Sequence, residues 1–292
     1  VKPARFDYRR PESLPEALEL LARHGADAAV LSGGQSLLPM LNLRVARPAL
    51  LLDINRLPGL DGIHLDAERL TIGARARHAD VLRSGLVREA APLLTEALTH
   101  VAHAAIRNRG SFGGSLALAD PAAELPACSV CLDAEIIAAS LRGERRIRAA
   151  DFFLGPYSTA LEPAELLLRV EVPRHGPGWR FAFAEVARRY GDFAIAGMAL
   201  AARIEDGRVA ESRIVPCGVE PAPRRLEAVE AALAGAALGD LGRHAAAAEA
   251  LAGTLEPMEW GEYPAAYRRH LAGVLLGRTL DRIAKEAAHG RA

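Results

Sequence analysis

Leu14, Leu18 and Leu21 recur at helical spacing between Ser13 and Gly25, so the chain opens with a short amphipathic helix. Ser13 is its predicted N-cap, Glu16 falls at the third helical position, and Gly25 stands just past the end. Two apolar runs follow, Ala28 to Leu31 and Leu50 to Ile54, the second closed by Asn55 and the Pro58-Gly59 turn. Unbroken apolar runs of this length suit strands of a small, mostly buried parallel sheet. Residues 1–57 therefore read as a β-α-β lobe.

From 58 to 176 the periods mix. Ile63 to Leu65 and Leu70 to Gly73 read as paired strands across the Asp66 to Arg69 turn. A helical pattern runs through Val81, Leu82, Leu86, Val87, Leu93, Leu94, Leu98 and Val101. A glycine-rich break comes next, and a helix restarts at Asp120-Pro121 and continues to about Leu132. Ala134 to Leu141 and Arg145 to Arg148 predict a hairpin, and Glu165 to Val172 another strand. Arg174 to Gly178 has the composition of a linker. Beyond it, strands at Arg180 to Arg188, Ala194 to Ile204 and Val209 to Val219 precede helices at Arg224 to Gly235, about 240–252 and Glu262 to Ala288. That order predicts a third lobe, 177–292, in which helices cover one face of a sheet.

Composition narrows the function. The 292 residues balance 36 Lys and Arg against 36 Asp and Glu, so net charge argues for neither nucleic acid nor a membrane surface. No apolar run reaches the roughly 18 residues of a spanning helix, and a cytoplasmic protein is expected. Cys128 and Cys131 form a C-x-x-C, but their setting predicts one helix with both thiols on a buried face. His100 and His103 are spaced for a metal; with no acidic partner converging, they read better as complements to a helix C-terminus. No nucleophile elbow, H-E-x-x-H or Cys-His pairing is present.

The chemistry concentrates in two glycine segments. Ser32-Gly-Gly-Gln-Ser36 follows a predicted strand, and Gly110-Ser-Phe-Gly-Gly-Ser115 interrupts the second lobe. Neither is a P-loop nor a Rossmann fingerprint. Both can bring successive N–H groups close to one anionic group, and a dinucleotide would use both at once. Ser32, Ser36, Ser111 and Ser115 can add hydroxyls, with Arg107 or Arg109 sharing the charge. Asp120, just before Pro121, is a natural helix N-cap, and with Glu124 one turn on it can also accept from sugar hydroxyls.

Ser32-Gly-Gly-Gln-Ser-Leu-Leu-Pro-Met-Leu-Asn-Leu-Arg44, Ile106-Arg-Asn-Arg-Gly-Ser-Phe-Gly-Gly-Ser115 and Ala119-Asp-Pro-Ala-Ala-Glu-Leu-Pro126 resemble the FAD-binding signatures of the medium subunit of molybdenum hydroxylases, the carbon monoxide and xanthine dehydrogenase family. Arg188-Arg-Tyr-Gly-Asp-Phe-Ala194 resembles a third signature. The resemblance implies an α+β fold: a two-lobed FAD-binding domain of the vanillyl-alcohol-oxidase type over 1–176, then a C-terminal α+β domain of three strands and three helices over 177–292. It implies FAD contacts from Ser32, Gly33, Gly34, Gln35, Ser36, Leu37, Ser111, Phe112, Gly113, Gly114 and Ser115 at the pyrophosphate. Asp120 and Glu124 would face sugar or ribityl hydroxyls, and Leu167, Tyr190 and Phe193 would pack near the isoalloxazine. It also implies a large molybdopterin subunit and a small subunit with [2Fe-2S] clusters as partners, in a dimer of heterotrimers. Electrons would pass through those clusters to this flavin and on to an acceptor. Some relatives carry an extra iron-sulfur cluster in an insertion that this chain lacks, so FAD is the one cofactor expected here. A stand-alone FAD oxidoreductase of the same fold is the alternative.

Overall fold

A computed structural model describes residues 2–259 and 261–289. The first lobe holds β1 (Asp7–Arg9), α1 (Leu14–His24), β2 (Ala28–Leu31), α2 (Leu37–Asn42) and β3 (Leu50–Asp53). Its sheet is parallel, ordered β1-β3-β2, with Asp7 and Ala28 on either side of Leu50. Ser13 caps α1, its Oγ accepting from the Glu16 N–H at 3.4 Å, and Ala17, Leu18 and Leu21 are buried. β1 has no counterpart in the hydrophobic pattern: its three residues are exposed and join the sheet through the backbone, with the Tyr8 hydroxyl donating to Asp53 of β3 at 2.5 Å.

The second lobe is built on an antiparallel sheet ordered β4 (Ile63–Leu65), β5 (Arg69–Gly73), β10 (Leu166–Pro173), β6 (Glu135–Ser140) and β7 (Gly143–Arg148). The helical pattern after His78 divides into α3 (His78–Arg83), α4 (Gly85–Ala90) and α5 (Pro92–His100). The breaks are local, since Ser84 caps α4 through the Val87 N–H and Pro92 opens α5. Then come α6 (Ala104–Arg107), α7 (Phe112–Leu118), α8 (Glu124–Cys131), α9 (Ala149–Phe152) and a small hairpin of β8 (Phe153–Gly155) and β9 (Ser158–Thr159). Two expectations need correction. The second glycine segment does not stay a loop: Phe112, Gly113 and Gly114 form the first turn of α7. Asp120 does not cap the following helix, which starts only at Glu124; its carboxylate closes the intervening turn by accepting from the Ala122 N–H at 2.9 Å.

In the third lobe β11 (Trp179–Ala187), β12 (Ala194–Glu205) and β13 (Arg208–Cys217) form an antiparallel meander, followed by α10 (Glu227–Leu233), α11 (Leu241–Thr254) and α12 (Ala265–His289). This sheet is covered on both faces. Ala196, Met198, Leu200 and Ala202 of β12 pack toward Leu275, Leu276 and Ile283 of α12. Ala199 and Ala201, with Phe183, Val215 and Cys217, join the core formed with Leu94 and Leu98 of α5 and Cys128 and Cys131 of α8. A central strand buried on both faces loses its polar alternation, which is why β12 is apolar from Ala194 to Ala202. Glu96 of α5 ties the lobes further, pairing with Arg282 of α12 and accepting from the Phe183 N–H at 3.1 Å. Arg174 to Gly178 is not a free tether: the Arg174 N–H donates to the Glu68 carbonyl at 2.7 Å, and His175 packs edge-on against Trp179 and Phe181.

Cys128 and Cys131 are fully buried on α8, and burial pushes both thiols up, so neither is a thiolate near neutral pH. His100 does end α5, but it lies 5.4 Å from the Phe183 ring and burial pushes its pKa down. It packs as a neutral ring there and does not offset the helix dipole. Among the described residues no helix is long and apolar enough to cross a membrane.

Candidate functional site

The two glycine segments meet. A Cβ on Gly33 would lie 2.3 Å from the Arg109 carbonyl oxygen and 2.9 Å from the Gly110 Cα, so only glycine allows the two backbones to touch. The first segment is held from behind by Asn55, whose side-chain amide donates to the Ser32 carbonyl at 2.9 Å and to Asp53 at 2.7 Å. The second is held by the chain between β5 and α3. The Gly113 and Phe112 N–H groups donate to the Ala74 and Ala76 carbonyls, and the His78 N–H donates to the Gly110 carbonyl. Arg77 reaches the Arg109 carbonyl with its guanidinium and Asn55 Oδ1 with the same group.

These anchors leave a set of donors free. Among the described residues, the N–H groups of Gly33, Gly34, Gln35, Ser36 and Leu37, and those of Ser111 and Gly114, have no backbone carbonyl in range. The buried hydroxyls of Ser32 and Ser111 have no partner either. Buried polar groups are normally satisfied, so a cluster of orphans marks a place for a ligand rich in acceptor oxygens.

All of them border one cavity of about 680 Å³, within the size range of small-molecule and cofactor sites. Of the residues expected at the site, Ser32, Gly33, Gly34, Gln35, Ser36, Leu37, Ser111, Gly113, Gly114, Ser115, Asp120, Glu124, Leu167 and Phe193 line it. Phe112 and Tyr190 do not. The Phe112 ring points into the second-lobe core with no exposed surface. Tyr190 is exposed, and its hydroxyl donates outside the cavity to the Thr99 carbonyl at 2.6 Å. The arginines expected to share a ligand's charge are also elsewhere, since Arg107 donates to the Val101 and Ala102 carbonyls and, among the described residues, no Lys or Arg lines the wall.

The far wall is formed by β10 and the β11–β12 connection. A bulge in β10 between Leu167 and Arg169 shifts its register against β6 and breaks the alternation of its side chains. Leu166 and Leu167 both border the cavity as a result. Gly191, with φ +83, brings Asp192 and Phe193 to the rim, and Phe193 is 72% exposed there. His78, Glu165 and Asp192 also line the wall; Asp192 lies within the third signature without having been assigned a contact, and no sequence signal marked His78 or Glu165. Glu165 is neutralised by a two-pronged contact from Arg145 at 2.6 and 2.7 Å.

The two carboxyls at the base of the cavity differ. Asp120 accepts from Ala122 N–H with one oxygen and from the Tyr157 hydroxyl, 3.2 Å away, with the other. Glu124 is buried, and burial with the nearby Glu185 carboxyl pushes it up to about 8, so it is a neutral acid at pH 7. Its folded pKa lies above the unfolded value, so its contribution to stability is full below about pH 4.5 and is lost as pH rises through 8. Wild-type melting temperature should therefore fall between pH 5 and 9, by an amount worth a few kcal/mol in all, of which about 1.4 kcal/mol falls between pH 7 and 9. Glu124→Gln, which cannot ionise, should flatten that fall; an equal alkaline loss in both proteins would refute the assignment.

This fold defines an FAD-binding flavoprotein, an oxidoreductase component. Residues 4–175 match the family described as the FAD binding domain in molybdopterin dehydrogenase, and residues 181–283 match the CO dehydrogenase flavoprotein C-terminal domain. The chain belongs to this family, the FAD-binding medium subunits of molybdenum hydroxylase-type dehydrogenases. It is 44% identical over 243 residues to the caffeine dehydrogenase subunit beta of Pseudomonas sp. (strain CBB1), covering 82% of each chain. It is 40% identical to the 6-hydroxypseudooxynicotine dehydrogenase complex subunit alpha of Paenarthrobacter nicotinovorans, over 98% of this chain and 97% of the other. Among solved structures it superposes on a chain of the carbon monoxide dehydrogenase of Hydrogenophaga pseudoflava with a TM-score of 0.94 and 39% identity, covering 97% and 98% of the two chains.

Proposed function

We propose that the chain is the flavin relay of a three-subunit molybdenum hydroxylase, passing electrons from the [2Fe-2S] clusters of a small partner to an external acceptor. The large partner would hold the molybdopterin, and the assembly would be a dimer of heterotrimers. FAD, when bound, supplies the chemistry of taking up and releasing electrons; the residues of this chain supply the binding. The observation that carries the reading is the meeting of two amide-rich loops, with orphaned Ser32 and Ser111 hydroxyls, on one cavity in a chain of this family.

The residues fit the cofactor in three ways. Free N–H groups of 33–37, 111 and 114 can surround a diphosphate without a cation. Asp120 retains acceptor capacity for hydroxyls, while neutral Glu124 can both donate and accept. Leu161, Leu166 and Leu167 offer an apolar wall for a flat ring. We divide the chain after 176 into the FAD-binding and C-terminal domains, and place it in the cytoplasm, where unpaired buried thiols such as its three cysteines are usual.

The test is purification of a tagged chain from its host with analysis of flavin, iron, molybdenum and bound subunits. All four are expected together; flavin with neither metal nor companion subunits would favour a stand-alone oxidoreductase. Each of the single variants Ser32→Ala and Ser111→Ala should weaken FAD binding by about 10- to 100-fold, since a hydrogen bond to a charged group is worth about 1.5–3 kcal/mol. Unchanged affinity would move the diphosphate away from these hydroxyls.

A further inference from the structure

Among the described residues the cavity has to hold an anion without a Lys or Arg side chain on its wall, and His78 is the one lining residue able to become a cation. We propose that His78 is a ligand-binding residue of this cavity, taking up a proton from solvent when a diphosphate settles between the two glycine loops. The proposal rests on the reading of the cavity as the FAD site.

The geometry sets the tautomer. His78 Nε2 lies 2.9 Å from the Ser111 carbonyl oxygen, which can only accept, so Nε2 carries the hydrogen. In the neutral ring Nδ1 is then a bare acceptor. It is buried, has no partner, and lies 3.0 Å from where a Cβ on Gly110 would be. His78 is 7% exposed and borders the cavity, so its unsatisfied nitrogen stands beside the loop whose Ser111 N–H is also free. A neutral Nδ1 there offers nothing to a phosphate oxygen. Once protonated it becomes a donor with a charge.

The surroundings hold that proton off until a ligand arrives. Burial is the main cause of the low basicity of His78, which is pushed down to about 4, and the cations Arg107 of α6 and Arg77 add to it. No carboxylate neutralises the ring. On its own helix Asp80 pairs with Arg83, on α4 Glu89 pairs with Arg174, and on α5 Glu96 pairs with Arg282, while His100 of α5 packs on Phe183. The second glycine loop contributes Arg109, and the first contributes no titratable group. The acids Asp120, Glu124, Glu165 and Asp192 stand elsewhere on the cavity wall. An opposite charge within about 4–6 Å raises a histidine by roughly one to three pH units. A diphosphate brings two such charges, enough to carry the ring from 4 to near neutrality.

The test is calorimetric titration of FAD into the deflavinated protein, purified with whatever subunits it assembles with, in two buffers of different ionisation enthalpy. Wild type should show buffer-dependent heat corresponding to uptake of up to one proton at pH 6, and its affinity should weaken as pH rises to 8. His78→Gln should bind about tenfold more weakly at pH 6, with no proton uptake and a flat pH profile; His78→Asn serves as a second variant. Buffer-independent heat in wild type, or equal uptake in the variants, would overturn the proposal while leaving the FAD site intact. A wild-type protein that fails to bind FAD at pH 7.5 would instead remove the underlying reading of the cavity.

Discussion

Gly33→Ala is expected to yield a folded protein that retains less than a tenth of its flavin. The added methyl meets the Arg109 carbonyl oxygen at 2.3 Å and the Gly110 Cα at 2.9 Å, and both are backbone, so no rotamer change relieves the contact. The two loops must part by about an ångström, and misplacement on that scale costs on the order of 100-fold where several donors converge on one group. Overpacking alone should cost about 1–3 kcal/mol of stability. Gly85→Ala is the control: a Cβ there meets nothing within 4 Å at the first position of α4, and Ala favours the helix. Flavin content by absorbance, with melting temperature beside it, separates the two effects. A Gly33→Ala protein with full flavin would show that the loop contact is not needed for binding.

Phe112→Ala should be among the most destabilising single changes in the second lobe. The ring has no exposed surface and packs in the core with Leu116 and the helices around it, and truncations of this kind cost about 3–5 kcal/mol. At roughly 2–4 °C per kcal/mol for a chain of this size, the melting temperature should drop by about 10 °C. Phe112→Leu separates packing from contact. It keeps most of the volume, so it should fold and hold FAD with nearly wild-type affinity. A stable Phe112→Leu protein lacking flavin would return Phe112 to the ligand, against the direction its side chain takes here.

These two residues show where sequence reading succeeds and stops. Gly33 was legible only through recurrence: a Gly-Gly pair after an apolar strand is by itself an ordinary turn, but a second such segment stands before Asp120. Phe112 sits among those glycines, and nothing in its neighbours says whether the first residue of a seven-residue helix faces a ligand or a core. Asp120 looked like a helix cap because Pro commonly opens a helix, yet its carboxylate closes the turn that precedes one. His78 carries no motif. Its importance comes from a hydrogen bond to Ser111, far along the chain, and from burial that only packing can create. β1 was invisible for the opposite reason: it is exposed and lacks an apolar run, and neither its backbone pairing nor the Tyr8 hydroxyl's bond to Asp53, 45 residues on, shows in its local pattern.

What the sequence by itself determined are the features set by neighbours a few residues apart. These are the cap at Ser13, the apolar strands β3 and β12, and the two glycine segments, whereas the breaks at Ser84 and Pro92 lay hidden inside one helical pattern. Tertiary structure alone decided which of those features share a cavity, which side chains turn away from it, and which sheet face finds a second partner. The reason is physical: caps and periodicity are energies of one turn or one strand, whereas the meeting of Gly33 with Gly110 and the burial of His78 exist only once separate lobes have packed.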